Sequence, residues 1–390
     1  MMVNLLTWLS RKRFPYEPLI TVEISKSRLV HNLNEFMRIA PQNAVAPVLK
    51  SNAYGHGLFE VASVLEKHYR RAGTGSIPFF IVDSYFEALA LRSRCIRTHI
   101  LIIGYTRPET ILTSRLRGVS YAISSLEQLK LIEGAERPIS IHLKIDTGMR
   151  RQGFLEEDIA EASGIISNNT HLVLRGLCSH LCDADDPDPS FTEAQIHIWN
   201  RIAKHFKSEF PALEYLHLSA TDGHRFTHDI QANVSRLGIG LYGLADGSAF
   251  PQKLDLRPAM EMKTIITGTK KLRKDETVGY GNVFKTDHDI TIATIPVGYF
   301  EGVDRKLSNK GIIEAGLDRA TCPIVGRVSM NITSIDISHA DGIKIGAPVI
   351  VISNDPSHGN SIRSMASSCD TIPYEIAVHI PAHLKRVVTE

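Results

Sequence analysis

The chain has 390 residues, of which 43% are hydrophobic and 22% charged, and its formal net charge at pH 7 is +2. A chain of this length buries large cores and exceeds one ordinary domain, so we expect two domains. The near-neutral charge, without a basic stretch interleaved with aromatic residues, argues against nucleic acid as a partner. The composition favours a protein that acts on a small molecule.

The cysteines bear on compartment and metal binding. Five occur, an odd number spread along the chain, which indicates free thiols in a reducing, cytoplasmic setting. Cys178, His180 and Cys182 alternate, but structural zinc usually takes a second ligand pair elsewhere, and none follows. We therefore expect these three residues to belong to a strand end and not to a metal site.

Residues 1–18 are interpreted as an N-terminal extension. Their apolar run precedes Arg11, Lys12 and Arg13, which is the reverse of the order in a secretory signal. The run is also too short to cross a bilayer, so we expect a frayed or lightly docked segment, with a weak contact to a membrane surface or a partner as the less favoured alternative.

Residues 19–247 alternate strand-like and helix-like segments, the pattern of a parallel α/β fold. Ser25 is a plausible N-cap for the first helix. The predicted strands are 19–24, 45–49, 79–82, 100–103, 119–123, 139–145, 172–177, 215–218 and 238–243. This is slightly more than eight units, so periodicity leaves a barrel and an open sheet both possible.

The secondary-structure pattern of the sequence changes after residue 247. Residues 248–253 read as a linker. Residues 254–390 contain short β-rich runs at 260–267, 290–295, 332–337 and 348–352, separated by turns. This pattern predicts a second, mostly antiparallel β domain.

A single lysine, Lys50, stands at the carboxyl end of a short apolar strand, and Gly55 and Gly57 then lead into a helix. Catalytic groups of α/β folds lie where parallel strands end, and a partly desolvated lysine there can form a Schiff base with an aldehyde cofactor. Taken alone, Lys50 would more often be a solvated lysine of a surface loop.

The eight residues Lys50-Ser51-Asn52-Ala53-Tyr54-Gly55-His56-Gly57 resemble the cofactor-lysine signature of the pyridoxal phosphate-dependent alanine racemases. The resemblance implies an N-terminal (β/α)8 TIM-like barrel, a C-terminal mostly antiparallel β domain, and a strand near 19–24 contributed to that domain. It implies pyridoxal 5'-phosphate as cofactor, Lys50 as its covalent attachment and one catalytic base, and Tyr54 as a partner of its phosphate.

The run 142–151 carries a second resemblance. It implies that Arg151 contacts the cofactor ring oxygen and orients the substrate carboxylate, a task that suits a planar, permanently charged fork. Lys144 matches a family lysine that is often carbamylated and holds this arginine. Arg150 stands where the family usually has glycine, so we expect an altered turn shape or substrate preference.

The run 234–243 resembles the family segment on the far side of the cofactor. Arg236 matches the arginine facing the pyridine nitrogen, and Gly238 and Ile239 match residues whose amides bind the phosphate. Arginine keeps its proton, so the pyridine nitrogen stays unprotonated and the ring is a weaker electron sink. Side reactions such as transamination should then be suppressed.

Four further positions match cofactor-binding residues of the family. Thr221 replaces a phosphate-binding serine, a hydroxyl for a hydroxyl, and His217 keeps the family's spacing to it. His180 matches a histidine that orients the catalytic tyrosine and the pyridine-side arginine, and Tyr374 matches a late tyrosine at the phosphate and entrance. Either histidine alone is more often an ordinary core residue.

Tyr280, in Val278-Gly279-Tyr280-Gly281, resembles the family's second catalytic base. Racemisation removes a proton from one face of the α-carbon and delivers one to the other, so two bases must flank it. In the family this tyrosine comes from the partner subunit, which implies a homodimer with composite sites.

The entrance shows the clearest departures from the family. Tyr299 matches the entrance motif, and the backbone of Met330 matches a contact to the substrate carboxylate. The departures are Phe300, Glu301, Ser329 and Asn331. The loss of an acid at position 331 leaves the strictness of alanine specificity open.

The resemblance implies an alanine racemase that interconverts L- and D-alanine and, if its source is bacterial, supplies D-alanine for cell-wall precursors. A broad-specificity amino-acid racemase is the main alternative. A pyridoxal phosphate-dependent decarboxylase of the same architecture is a weaker one, because Tyr280 is present and no triple-glycine phosphate loop is found. A non-catalytic cofactor-holding protein is disfavoured because single-barrel relatives lack a second domain.

Overall fold

We describe residues 16–72 and 77–390 of the protein from a computed structural model. Residues 1–15 of the expected N-terminal extension lie outside this range. The chain divides into two compact units, of which one comprises residues 25–259. The other combines the start of the described chain, up to Ile24, with residues 260–389.

The unit of residues 25–259 is an eight-stranded parallel barrel. Its strands are β2 (Ala44–Pro47), β3 (Phe80–Val82), β4 (Ile100–Ile102), β5 (Val119–Ile123), β6 (Ile139–Lys144), β7 (Leu172–Cys178), β8 (Tyr215–His217) and β9 (Val234–Leu237). Strands β3 to β8 pair in sequence order, and β2 pairs with β9. The ring closes where Leu49 N donates to Ile81 O (2.7 Å) and where Arg236 N donates to Ser219 O (3.0 Å). The expected barrel is thus confirmed.

Helices follow most of these strands and pack apolar faces on them. They are α1 (Lys26–Ile39), α2 (Leu58–Ala72), α3 (Tyr85–Ser93), α4 (Pro108–Thr113), α5 (Leu126–Leu131), α6 (Ile159–Asn168) and α7 (Ser190–Glu209). Ser25 caps α1 as expected, since its hydroxyl accepts from Arg28 N at 3.3 Å. In α1 the buried side chains include Leu29, Leu33 and Phe36, spaced as one helix face.

Two expectations for the end of this unit were wrong. The last strand is Val234–Leu237, and the predicted strand 238–243 is instead a 3₁₀ turn over Ile239–Tyr242. The predicted linker 248–253 is packed, because Phe250 is buried edge-on against Phe36 with ring centroids 5.6 Å apart. An aromatic core residue therefore ties this segment to the barrel unit, which extends to Ala259.

The second unit is built from antiparallel strands. They are β1 (Thr21–Ser25), β10 (Met260–Ile265), β11 (Gly268–Leu272), β12 (Ile290–Ile295), β13 (Ile312–Ala315), β14 (Ala320–Pro323), β15 (Thr333–Asp336), β16 (Pro348–Ile352) and β17 (Lys385–Thr389). One sheet has the order β14-β13-β16-β10-β1-β17, and a second has β11-β12-β15. Two helices, α8 (Ile362–Ser368) and α9 (Pro373–Val378), complete it.

Strand β1 pairs with a strand more than two hundred residues later in the chain. Its residues Thr21 to Ile24 align antiparallel with Lys263 to Met260 in β10. The start of the chain is therefore part of the β-rich unit, and the barrel begins at β2. Among the described residues, no helix is long and apolar enough to cross a membrane.

Candidate active site

The expected site residues of the barrel unit gather at the carboxyl ends of its strands. Lys50 follows β2, Lys144 ends β6, His217 ends β8, and Arg236 lies within β9 one residue before its end. The carboxyl ends of parallel strands meet at one face of a barrel, where its loops build active sites. The local strand patterns thus bring together side chains that are far apart in sequence.

Lys50 opens a left-handed helical turn. The φ angles of Ser51, Asn52, Ala53 and Tyr54 are +56°, +55°, +53° and +52°. This conformation costs non-glycine residues roughly 1–2 kcal/mol each, so the surrounding structure must hold it. The turn fixes Lys50 and Tyr54 at its two ends.

A carboxylate that sequence reasoning missed supports this turn. Glu87, in α3, accepts a hydrogen bond from Asn52 N at 3.0 Å. The Asn52 side chain in turn accepts from Leu58 N at 2.9 Å. Since both bonds use backbone donors of the turn and of the helix after it, Glu87 and Asn52 hold the strained backbone in place. The only sequence signal for Glu87 was its position in the first turn of a helix.

Tyr54, Thr221 and Gly238 form a small cradle. A Cβ on Gly238 would lie 2.7 Å from the Tyr54 hydroxyl and 4.0 Å from the Thr221 hydroxyl. The Thr221 hydroxyl accepts from Gly240 N at 3.2 Å. Glycine at 238 therefore keeps open a space faced by two hydroxyl groups and backbone, which fits a phosphate group.

Tyr54 is held as a neutral hydroxyl. Burial raises the pKa of Tyr54 to about 12, although the charge of Arg236 opposes the shift. Its ring packs on that of Tyr242 at 5.1 Å, and the Tyr242 hydroxyl donates to Val48 O at 2.8 Å. A protonated Tyr54 can donate a hydrogen bond to an anion in the cradle.

Arg236 is buried and held by five acceptors without a carboxylate. One terminal nitrogen donates to His217 Nδ1 (3.1 Å) and His217 O (3.0 Å). The other donates to Ser179 O (2.7 Å), Leu218 O (2.7 Å) and His180 Nδ1 (3.0 Å). Among the described residues, no acceptor forms a hydrogen bond with the third guanidinium nitrogen of Arg236, Nε. This leaves one fixed, cationic donor for a ligand.

The imidazoles around Arg236 are neutral acceptors with defined tautomers. Burial, with the charges of Arg236, Arg151, Lys144 and Lys50, lowers the pKa of His180 to about 3. Burial, reinforced by Arg236, also places the pKa of His217 well below its usual value. Because arginine can only donate, both Nδ1 atoms accept and the ring protons lie on Nε2.

The hydrogen-bond chain continues deeper into the barrel. His217 Nε2 donates to His142 Nδ1 at 2.9 Å. His142 is buried, burial lowers its pKa to about 3, and its Nε2 has no partner among the described groups. His142 begins the run 142–151 that contains Lys144, but the sequence predicted no role for it, because its contact with His217 joins strands that are far apart in the chain.

Positive groups converge around Lys144. Burial lowers the pKa of Lys144; the Cys178 thiol opposes this, and the charges of Arg151, Arg236 and Lys50 add to it. Lys144 Nζ donates to Gln152 Oε1 at 3.1 Å. A cluster of cations with a lowered lysine pKa suits anionic ligands and favours the neutral, nucleophilic amine. Cys178 ends β7, as expected, and no metal-ligand cluster occurs in the described parts of the chain.

Arg150 adopts a backbone conformation that favours glycine. Its φ is +55°. The backbone N–H of Arg150 donates a hydrogen bond to Asp146 Oδ1 at 3.2 Å, and Gly148 N donates to the same oxygen at 2.8 Å. Arginine takes up the left-handed conformation here, with its side chain exposed, and its expected effect on turn shape or substrate preference stays a prediction.

Tyr280 lies in the β-rich unit, at the tip of a turn. It is 72% exposed and is flanked by Gly279 (φ +74°) and Gly281 (φ +71°). Val278 N donates to Phe284 O at 3.1 Å and closes the loop beneath it. The turn thus presents the Tyr280 ring to the outside of this unit.

The entrance residues and the departures from the family form one cluster in the β-rich unit. Tyr299 N donates to Ser329 O at 3.0 Å, and Phe300 N donates to Met330 O at 2.9 Å. Asn331 Nδ2 donates to Glu301 Oε1, and Glu301 Oε2 accepts from Gly298 N. Tyr374, on α9, is partly exposed in the same unit.

A parallel barrel with a lysine after its first strand, in one chain with an antiparallel β-rich unit, is the architecture expected of the alanine racemases and of the decarboxylases that share it. Residues 24–246 match the family described as "Alanine racemase, N-terminal domain", and residues 259–388 match "Alanine racemase, C-terminal domain". The chain belongs to the alanine racemase family.

Individual relatives agree with this assignment. The chain is 32% identical to an alanine racemase of Lactobacillus gasseri, with 95% of this chain and 97% of that protein covered. It is 31% identical to "Alanine racemase 2" of Oceanobacillus iheyensis, covering 94% and 92%. The solved alanine racemase of Clostridium difficile 630 superposes with a TM-score of 0.86 at 27% identity, covering 96% and 97%.

Proposed function

We propose that this protein interconverts L- and D-alanine with pyridoxal 5'-phosphate as cofactor. The observation that carries the proposal is Arg236, a buried guanidinium bound on its terminal nitrogens by neutral acceptors, with Nε left for a ligand. Such a donor suits a neutral ring nitrogen that must not be protonated. The cradle of Tyr54, Thr221 and Gly238 supplies the complementary place for a phosphate.

The cofactor, when bound, supplies an aldehyde for covalent attachment and withdraws electrons from the substrate α-carbon. Lys50 would be the attachment point and would exchange a proton at one face of that carbon. Tyr54 and Thr221 would hold the phosphate, with the amides of Gly238 and Ile239. Arg236 would bind the ring nitrogen without protonating it, which limits electron withdrawal and disfavours side reactions. Arg151 would bind the substrate carboxylate, and a contact to the same kind of group is inferred for the backbone of Met330.

We infer that Lys144 is carbamylated in the working enzyme. Its pKa is lowered, first by burial, which favours the neutral amine; that amine would add to carbon dioxide and release a proton to form the carbamate. The resulting negative group would offset the charges of Arg151, Arg236 and Lys50. Carbamylation would also give Arg151 an anionic partner and hold its side chain.

The active form is a homodimer, in which Tyr280 of the partner subunit is the base at the opposite face of the α-carbon. The β-rich unit carries large exposed apolar side chains, at Tyr280, Tyr299, Phe300, Met330 and Ile332. Such groups on a soluble protein mark interaction surfaces. A base contributed in this way makes the dimer necessary for turnover.

The enzyme works in the cytoplasm, where it supplies D-alanine for cell-wall precursors if the source is bacterial. All five cysteines are free, which suits a reducing compartment.

Two measurements test the proposal. Purified protein incubated with L-alanine and the cofactor should lose optical rotation until both enantiomers are equal, and the same end point should be reached from D-alanine. Borohydride reduction followed by peptide mapping should place the pyridoxyl label on Lys50. A label on another lysine, or no racemisation of alanine, would contradict the proposal.

A broader amino-acid racemase is the second candidate. It is favoured by the cluster at the substrate entrance, where Phe300, Glu301, Ser329 and Asn331 all differ from the family pattern. Phe300 bonds to Met330, Glu301 to Asn331, and Ser329 to Tyr299. A panel of L-amino acids distinguishes the two: kcat/KM for serine or larger side chains within tenfold of that for alanine would favour the broad enzyme. Family membership gives no support to the decarboxylase or the cofactor-holding alternatives.

A further inference from the structure

A second cavity lies at the end of the barrel opposite Lys50. Its volume is about 500 Å³, within the range of small-molecule sites. His99, which precedes β4, Gly118, which precedes β5, and Pro138, which precedes β6, are among its lining residues. These positions are the amino ends of the strands, whereas the candidate active site uses their carboxyl ends. The proposed function leaves this cavity without a role.

The cavity lining is strongly basic. It includes Arg115, Arg117, Arg137 and Arg175 and no acidic residue. Arg175 pairs with Glu214 outside the lining at 2.9 Å, and within the described parts of the chain the other three guanidinium groups form no ion pair with a carboxylate. Guanidinium groups that line one cavity repel each other, and an anion bound between them would relieve this repulsion.

Arg115 and Arg117 can bind a ligand with their side chains, and Arg137 is held in place by backbone carbonyls. Across the described chain, the Arg115 and Arg117 side chains are exposed and have no hydrogen-bond or ion-pair partner. Arg137 donates from Nε to Leu112 O at 2.9 Å and from a terminal nitrogen to the same oxygen at 2.7 Å. Carbonyl acceptors orient this guanidinium without neutralising it, which leaves its charge for a ligand.

Arg175 reaches the cavity through a β-bulge. In the pairing of β6 with β7, Ile141 aligns with Leu174 but His142 aligns with Gly176, so Arg175 is the extra residue. Bulges re-aim side chains and are common near functional sites. The neutral His99 lies nearby: burial lowers its pKa to about 4, and its Nε2 is 2.8 Å from the Ser120 hydroxyl. Hydroxyls at Ser114, Ser140 and Tyr121 complete the polar lining.

We propose that this cavity is a second binding site, which takes a small organic anion carrying at least two charged oxygen groups, of the phosphate or polycarboxylate class. Guanidinium forks bind both kinds of group bidentately. Apolar wall residues such as Ile111, Leu116 and Val173 contact the body of the ligand. The site is separate from the racemase machinery and does not depend on the proposed function.

Isothermal titration of the cofactor-saturated protein tests this site at constant ionic strength, with pyrophosphate, citrate and acetate as probes. The variants are Arg115→Gln and Arg117→Gln, whose side chains are exposed, so folding should be preserved. Arg97→Gln is the matched control, because Arg97 is exposed near the start of β4 but does not line the cavity. Thr221→Ala reports on binding at the cofactor site instead.

We expect one pyrophosphate or citrate per chain, no saturable acetate binding, and a Kd that rises about tenfold in each cavity variant. Preference for pyrophosphate identifies the phosphate class, and preference for citrate identifies the polycarboxylate class. The proposal is overturned if neither binds, if Arg97→Gln weakens binding as much, or if only Thr221→Ala does.

Discussion

The Asn331 amide donates a hydrogen bond to the Glu301 carboxylate, with Nδ2 and Oε1 2.6 Å apart. These residues are thirty positions apart, and both differ from the pattern of the family. Glu301 is buried, and its other oxygen accepts from Gly298 N at 2.8 Å. Asn331, which stands where the family has an acid, is thus a neutral hydrogen-bond donor to the carboxylate of Glu301. The two departures from the family pattern therefore form one hydrogen-bonded pair.

Asn331→Asp should destabilise the β-rich unit by about 1 kcal/mol at pH 8, because a carboxylate at the exposed position 331 would face the buried carboxylate of Glu301. Protonation of a carboxylate removes the repulsion, so the loss of stability relative to wild type should be small near pH 4 and should grow as the pH rises toward 8. Urea unfolding at pH 5 and pH 8 measures the effect.

The double variant Glu301→Gln with Asn331→Asp is the control for this pair. It restores an amide and a carboxylate with the partners exchanged, so it should recover most of the lost stability at pH 8. Equal stability of wild type and Asn331→Asp at pH 8 would show that the hydrogen bond has no energetic role.

Arg150→Gly should raise the free energy of unfolding by about 1 kcal/mol, since glycine adopts the left-handed conformation without the steric cost of a Cβ. The φ of +55° at this position is the reason. Arg150→Ala removes the same charge but keeps the Cβ, so it should give no such rise. If alanine stabilises as much as glycine, the charge and not the backbone is responsible.

Gly238→Ala should weaken binding of the cofactor more than tenfold, because the new methyl group would lie 2.7 Å from the Tyr54 hydroxyl. Gly134→Ala is the matched control, since nothing lies within 4 Å of a Cβ there. Fluorescence titration of the apoprotein with pyridoxal 5'-phosphate gives both affinities. Similar affinities in the two variants would place the phosphate away from Gly238.

The buried imidazoles should make the protein acid-sensitive. Burial lowers the pKa values of His142 and His180 to about 3, below the unfolded value near 6.5. The unfolded chain therefore binds more protons, so stability is fully present above pH 6.5 and falls toward pH 3. His142→Asn should reduce the slope of unfolding free energy against pH by about one proton, or 1.4 kcal/mol per pH unit. An unchanged slope between pH 6 and 4 would contradict this assignment.

The sequence predicted those parts of the fold that depend on local pattern. Apolar runs followed by glycine or polar residues located seven of the eight barrel strands, and the hydroxyl of Ser25 marked the start of α1. Residues 238–243 were mistaken for a strand because their apolar residues alternate with glycine. The structure turns them instead into a 3₁₀ segment whose glycines leave room for Tyr54 and Phe36.

Contacts between residues far apart in the chain could not be predicted from the periodicity of the sequence. Barrel closure depends on bonds such as Leu49 N to Ile81 O, which no local pattern contains, so only resemblance to a family favoured the barrel. The support of the Lys50 turn by Glu87 and the pairing of Glu301 with Asn331 were missed for the same reason. Side-chain partners are set by tertiary packing, whereas element types are set largely by local sequence.

The proposed assembly makes Lys50 and Tyr280 of the partner subunit the two bases of one site. Lys50→Ala and Tyr280→Ala proteins should each be nearly inactive. When they are mixed and allowed to exchange subunits, a heterodimer contains one intact site and one site lacking both bases. Random exchange at equal amounts gives about half heterodimers, so activity should return to roughly a quarter of wild type if the sites are independent.

Mass spectrometry of the mixture establishes that exchange has occurred, and the racemase assay is then run on the same sample. Tyr280→Phe mixed with Tyr280→Ala is the control, because every dimer lacks the tyrosine base and no activity should return. Dilution below the dimer dissociation constant should also abolish the recovered activity. Confirmed exchange without recovery would mean that both bases lie within one chain, and the composite site would have to be abandoned.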